Sequence, residues 1–296
     1  MIPEPQRTYV LELLAALGPA ADDFVVAGAQ AIKFAVQDAR GTKDVDFILN
    51  VIALRAEPLE LSAVLKHLGY TAVAGARNFQ FEKPIPNSRE TMRIEFMAPD
   101  EFKRPTDFRV DVQQGIHARA CTGGTIALVE SDEHPLEGTL PDGKPYAAKV
   151  RVTRPHALVM LKLLASYDRY HNIRGPAEAR HDREEAQTHA ADIVAIVKAR
   201  PDLAEFKRQF EGQFGVDPEL RSRVSGILSD FFRNVTAPGY LLYEEYLAAT
   251  LPAGRATQAE IRDESARAHR VLQRVLPYPS AEPHDDCQFR SMMERN

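Results

Sequence analysis

The chain has 296 residues, of which 44% are hydrophobic and 27% charged, enough apolar material for one large domain or two ordinary ones. Its 37 Lys and Arg against 42 Asp and Glu give a net charge of −5, which argues against polyanion binding through total charge while leaving local basic patches open. Cys121 and Cys287 stand too far apart for metal-type spacing; with no basic-apolar leader and no apolar run of bilayer length, the composition predicts reduced thiols and a soluble, cytoplasmic protein.

Residues 5–17 place Tyr9, Val10, Leu13, Leu14 and Leu17 on one stripe, which predicts an amphipathic helix closed by Gly18-Pro19. Phe24 to Ala27 reads as a short buried strand stopped at Gly28, and from Ala29 to Gln37 the apolar residues recur at helical spacing. After the breaker Gly41, Asp44 to Leu49 forms a second strand, with Asp44 and Asp46 on one face and Val45 and Phe47 on the other. Adjacent carboxylates repel each other, and the arrangement costs stability unless a cation lies between them. Asp-x-Asp alone is also an ordinary pattern on the wet face of an edge strand, so its meaning depends on context.

Further along, a helix is expected over 58–68, ended by Gly69, then a strand over 70–74. Residues 77–82 and 91–97 read as the two arms of a hairpin, in which Glu95 projects among apolar neighbours. Residues 108–112 are strand-like and carry Asp111. Between Gly123 and Val152 short apolar runs are divided by glycine and proline, which predicts a small β extension with a turn at Pro141-Asp142-Gly143. From Pro155 the pattern is helical, with helices expected near 155–170, 180–199, 202–213, 217–234, 239–250 and 257–275. The first of these sets Lys162 inside an apolar run, where an ammonium must reach water or an anion. Asp192 precedes the apolar Ile193-Val194 in the second. From Pro277 the polar, proline-rich tail predicts loosely held chain.

Strand, glycine, short helix, turn and Asp-x-Asp together resemble the signature of the polymerase-beta-type nucleotidyltransferase superfamily. More narrowly, Arg40-Gly41-Thr42-Lys43-Asp44-Val45-Asp46 resembles the R-x-[TS]-x-D-[IV]-D form of the AbiEii-like nucleotidyltransferases, which include toxins of type IV toxin–antitoxin pairs. Lys162, Ala165 and Arg169 match that family's K-x-x-A-x-x-x-R, and Asp192 matches a further aspartate by position, although His189 stands where the family commonly has lysine. The family loop is usually Gly-Gly or Gly-Ser and is Gly28-Ala29 here, and the third carboxylate is usually aspartate and is Glu95 here, with Asp111 in reserve. The likeness runs over residues 20–200 and is absent beyond them.

The resemblance implies an α/β nucleotidyltransferase core, a mixed sheet flanked by helices, over residues 1–153, then an all-helical C-terminal domain over 154–276 and a flexible tail over 277–296. It implies transfer of a nucleoside monophosphate from an NTP to an acceptor hydroxyl on RNA such as tRNA, on a protein or on a small molecule. In a toxin reading, a separate antitoxin restrains that activity. Asp44, Asp46 and Glu95 would hold Mg²⁺ or Mn²⁺, with Gly28, Ala29, Arg40, Thr42, Lys162, Arg169 and Asp192 at the nucleotide and Lys162 acting in catalysis. Two other classes stay open. A non-catalytic nucleotide-binding module on the same fold is favoured by Ala29 and Glu95. An Asp-x-Asp glycosyltransferase leaves the glycine loop and Lys162 unexplained.

Overall fold

The computed structural model describes residues 1–37, 39–100, 109–172, 175–215, 217–251 and 257–276; the tail expected over 277–296, with Cys287, lies outside them. Among the described residues no helix is long and apolar enough to cross a membrane.

Helix α1 (Gln6–Leu17) buries the stripe its spacing announces, and a short 3-10 turn leads into β1 (Phe24–Ala27). Helix α2 (Gly28–Ala35) follows without a linker, and β2 (Asp44–Leu49) returns antiparallel to β1. Helix α3 (Val51–Ala56) was not expected from the sequence, because its apolar residues continue directly from those of β2. Its start is fixed by Asn50, whose side chain accepts from the Ala53 amide at 3.5 Å. The helix expected over 58–68 is α4 (Leu61–His67), and β3 (Thr71–Ala72), β4 (Gln80–Pro84) and β5 (Thr91–Pro99) follow, the last two as the expected hairpin. Strands β6 (Arg109–Gln113) and β7 (Ile116–Cys121) form a second hairpin.

The stretch expected as a small β extension is corrected at its start. Residues Gly124–Val129 are helix α5, and only then come β8 (Ser131–Thr139) and β9 (Pro145–Thr153), joined by the predicted turn. A side chain at Gly124 would lie 2.9 Å from the Pro99 Cα, so glycine lets α5 pack directly against the end of β5.

The strands join in one mixed sheet in the order β3-β4-β5-β2-β1-β9-β8. Strand β2 runs parallel to β5, and β1 runs parallel to β9. Beyond the end of β4, strand β7 takes over the same edge of β5 in parallel. Six helices complete the described chain: α6 (Pro155–His171), α7 (Ala179–Lys198), α8 (Leu203–Gly212), α9 (Pro218–Phe232), α10 (Pro238–Thr250) and α11 (Gln258–Gln273). Pro155, Pro218 and Pro238 each sit in a helical first turn, where the missing N–H costs nothing.

A single hydrophobic cluster reaches from Ile2 through the sheet to Leu276, so the helical half is packed onto the sheet half. Helix α6 is buried at 156–160 and again at 162–164. Small residues on α7, Ala186 and Ala190, let the two helices approach closely, and the Ser166 hydroxyl donates to the Ala186 carbonyl at 3.1 Å. One turn further along α6, Arg169 meets the fully buried Asp182 of α7 at 2.8 Å. Removing one partner leaves a buried charge uncompensated. Asp182→Ala is therefore expected to lower stability by about 2–3 kcal/mol, less than for a wholly buried pair because Arg169 keeps some exposure; a thermal melt unchanged from wild type would contradict it.

Candidate active site

The site begins where β1 turns into α2. Gly28 has φ +60°, and a Cβ built on it would fall 1.7 Å from Asp46 Oδ2. Glycine is thus required twice, for the left-handed backbone and for the space that the carboxylate occupies. Ala27 is the register partner of Asp46, which explains the close approach. Ala29 follows in the first turn of α2 and is buried. The buried Gln30 donates to the Thr42 carbonyl at 3.2 Å, and the Thr42 hydroxyl accepts from the Asp44 amide at 3.4 Å. Both bonds set the chain entering β2.

Strand register then lays out a charged row. Gln80 of β4 pairs with Glu95 of β5, and Glu95 pairs with Asp46 of β2. One step along, Glu82 pairs with Arg93, and Arg93 with Asp44. Like charges placed directly opposite on neighbouring strands are destabilising. Burial first, then the charge of Glu95, push the Asp46 carboxyl from 3.8 up to about 7. Burial also raises Asp44, opposed by the Arg93 guanidinium. No described residue donates a hydrogen bond to either of these two side chains.

Glu95 is different. Its Oε2 accepts from Gln80 Nε2 at 2.7 Å, and its Oε1 lies 2.6 Å from Arg119 Nη2. Arg119 stands opposite Met97 in the β5–β7 register, on the same face as Glu95 and two residues along. The sequence reading missed this residue. The signal available was the alternation His117-Ala118-Arg119-Ala120, which puts Arg119 on the face opposite the buried Ala118.

The helical half supplies Lys162 and the aspartate that pairs with it. Lys162 of α6 is buried and its Nζ lies 2.8 Å from Asp192 Oδ2 on α7. Arg40 crosses from the loop before β2 to grip the same carboxylate with Nε at 3.1 Å and Nη2 at 3.2 Å. Burial opposes the charge on Asp192, but Lys162 and Arg40 outweigh it and hold the carboxyl below its ordinary range. His189, one turn before Asp192, has Nδ1 3.4 Å from Lys162 Nζ. Burial, then the charge of Lys162, push its imidazole pKa well below the ordinary value. A neutral ring can accept from the ammonium, so histidine fits where a second lysine would repel.

The structure thus brings together Gly28, Asp44, Asp46 and Glu95 on the sheet, and Arg40, Lys162 and Asp192 beside them; the charges of Glu95 and Lys162 both act on Asp46. Arg169 pairs with Asp182 at 2.8 Å, and its charge reaches this group at His189. The structure does not bring in the reserve carboxylate: Asp111 is exposed, lies 3.3 Å from His117 and lines a separate cavity of about 670 Å³ beyond the far end of β2. Among the described residues no group of three or more His, Cys, Asp or Glu side chains is placed to hold a metal ion.

Residues 12–286 match the sequence model of a family described as "Nucleotidyl transferase AbiEii toxin, Type IV TA system". No curated protein matches the chain. Among solved structures, JHP933 from Helicobacter pylori is similar at 14% identity and a TM-score of 0.40, over 92% of this chain and 93% of that one. A second Helicobacter pylori protein, described as a "putative nucleotidyltransferase", is similar at 15% identity and a TM-score of 0.34, over 94% of this chain and 100% of that one.

The raised Asp46 carboxyl has a pH signature. Between 3.8 and about 7 the folded protein holds a proton that the unfolded chain has lost; below that window both states hold it, and above it neither does. Stability of the metal-free protein is therefore expected to fall as pH rises through the window, and Asp46→Asn, which cannot ionise, is expected to flatten that slope. Thermal melts across the window check this, and identical slopes in both proteins would contradict it.

Proposed function

The chain belongs to the AbiEii nucleotidyltransferase toxin family, and from that premise we propose that it transfers a nucleoside monophosphate from an NTP to an acceptor hydroxyl, with Asp44 and Asp46 at the reacting end and Lys162 and Arg40 at the phosphates. The observation that carries the proposal is the meeting of two halves. Carboxylates without described donors lie on the sheet face, and a buried lysine whose charge acts on Asp46 is fixed by an aspartate that also holds Arg40.

The residues fit a divalent cation. Asp44 and Asp46 share a strand face and have lone pairs free of any described donor. The repulsion that raises the Asp46 carboxyl is what a bound Mg²⁺ or Mn²⁺ would relieve. Such an ion, when bound, would draw charge from the α-phosphate and lower the pKa of an acceptor hydroxyl.

The rest of the chemistry belongs to the chain. Gly28 and Ala29 open α2 and offer backbone N–H groups toward the triphosphate, and the absent Cβ at Gly28 allows close approach. Thr42 keeps the loop in place through the Asp44 amide, so its part is to position the first carboxylate. The acceptor oxygen bonds to the α-phosphorus, the bond from that phosphorus to the bridging oxygen breaks, and pyrophosphate leaves while the hydroxyl proton passes to solvent. Negative charge grows on the departing phosphates, where a pre-placed ammonium and guanidinium stabilise it without reorganisation. Asp192 holds Lys162 and Arg40 in place, and His189, whose imidazole pKa burial pushes well below its ordinary value, adds no competing cation. The acceptor is RNA, a protein or a small molecule, and as a type IV toxin the enzyme would be opposed by a separate antitoxin.

Incubation with Mg²⁺, α-labelled NTPs and either total RNA or total protein tests the reaction and sorts the acceptors. Asp44→Ala and Asp46→Ala are each expected to abolish label transfer while keeping or raising the Tm of the metal-free protein, since each relieves a repulsion. Near-normal transfer by either variant would overturn the assignment.

A further inference from the structure

Glu95 was expected from the sequence to be the third metal-holding carboxylate. Its surroundings point elsewhere. One oxygen of Glu95, Oε2, accepts from Gln80 at 2.7 Å; the other, Oε1, makes no hydrogen bond but is ion-paired with the Arg119 guanidinium at 2.6 Å, so a second cation there would have to displace a fixed one or sit against it. These contacts follow from strand register. Gln80 lies directly opposite Glu95, and Arg119 enters on the same edge of β5 where β7 replaces β4. Glu95 is buried, so neither contact is a passing surface pair. Asp44 and Asp46, by contrast, have no described donor, and no three carboxylates among the described residues are grouped as a metal would need.

We infer that Arg119 is a positioning residue that holds Glu95 out of divalent-cation coordination, so that the site takes one cation, on Asp44 and Asp46, with the guanidinium standing where a second would bind. The inference rests on the nucleotidyltransferase reading for the first cation and goes beyond it in the count. Its physics is charge balance. A fixed positive charge balances Glu95 and repels a second divalent ion. Arg119 also lies close enough to Asp46 for their charges to act on each other, which keeps the reacting face from accumulating unbalanced negative charge. Glu95 thereby becomes the anchor for an arginine.

The test counts Mn²⁺ bound to the nucleotide-free, full-length protein, reading free Mn²⁺ by electron paramagnetic resonance. Wild type is expected to bind one ion, lost in Asp46→Asn. Arg119→Met frees Glu95 and is expected to gain a second ion, or to bind at least about tenfold more tightly, and adding Glu95→Gln should return it to wild-type behaviour. Arg119→Lys keeps a cation at the position and is expected to behave as wild type, a rescue that a purely structural role in β7 would not produce in an ion count. Two results would overturn the inference alone: Arg119→Met binding like wild type while the Asp46-dependent ion persists, or Glu95→Gln by itself weakening wild-type Mn²⁺ binding about tenfold or more. That second arm decides the matter even if Arg119→Met fails to fold. Absence of Mn²⁺ binding in every protein would overturn this inference together with the reading of Asp44 and Asp46.

Discussion

The Asp192 carboxylate is the point on which the arrangement depends. It is buried between Lys162 from its neighbouring helix and Arg40 from the loop before β2, so one anion fixes two cations that come from opposite halves of the chain. Buried ions are costly to desolvate, and a cluster of this kind persists only where the contacts are close and mutually satisfying. The bidentate grip on Arg40 ties the loop carrying Thr42 and Lys43 to the helical half, and so sets how Asp44 and Asp46 face Lys162. Two cations held by one carboxylate leave net positive charge at the place where phosphates would lie.

The sheet supplies the opposite charge through register. Gln80, Glu95, Asp46 and Ala27 form one row across four adjacent strands. Each neighbour limits its own neighbour: Gln80 and Arg119 occupy Glu95, Glu95 raises the Asp46 carboxyl, and Gly28, next to Ala27, makes room for it. The site therefore stores electrostatic repulsion, which a bound cation would relieve in the proposed reading. A face of this type costs stability, which the continuous core beneath it offsets.

Much of this was legible in the sequence because it rests on local periodicity. The helices from Pro155 onward show in the spacing of their apolar residues, with prolines marking three of the starts. Strand β2 shows because alternation places Asp44 and Asp46 together. Helices α3 and α5 were not legible, since six residues are too few to reveal a period and both lie next to apolar strands. Arg119 was hidden for another reason: its partner Glu95 comes from a different hairpin, and only the junction of β4 and β7 on one edge of β5 brings them together. The Arg40–Asp192 pair, 152 residues apart in sequence, had no local signal either. Likewise the capture of Arg169 by Asp182 depends on the packing of two helices, and spacing alone does not report it.

The central claim is that the two halves form a single nucleotide site, and its most direct measurement is the rise in Tm caused by a non-hydrolysable NTP with Mg²⁺. The account predicts a clear rise for wild type that is lost both in Asp46→Asn, on the sheet, and in Lys162→Met, on the helical half, although each variant folds without ligand. A rise that survives intact in Lys162→Met would contradict it, leaving that lysine as no more than a cation at the margin of the core.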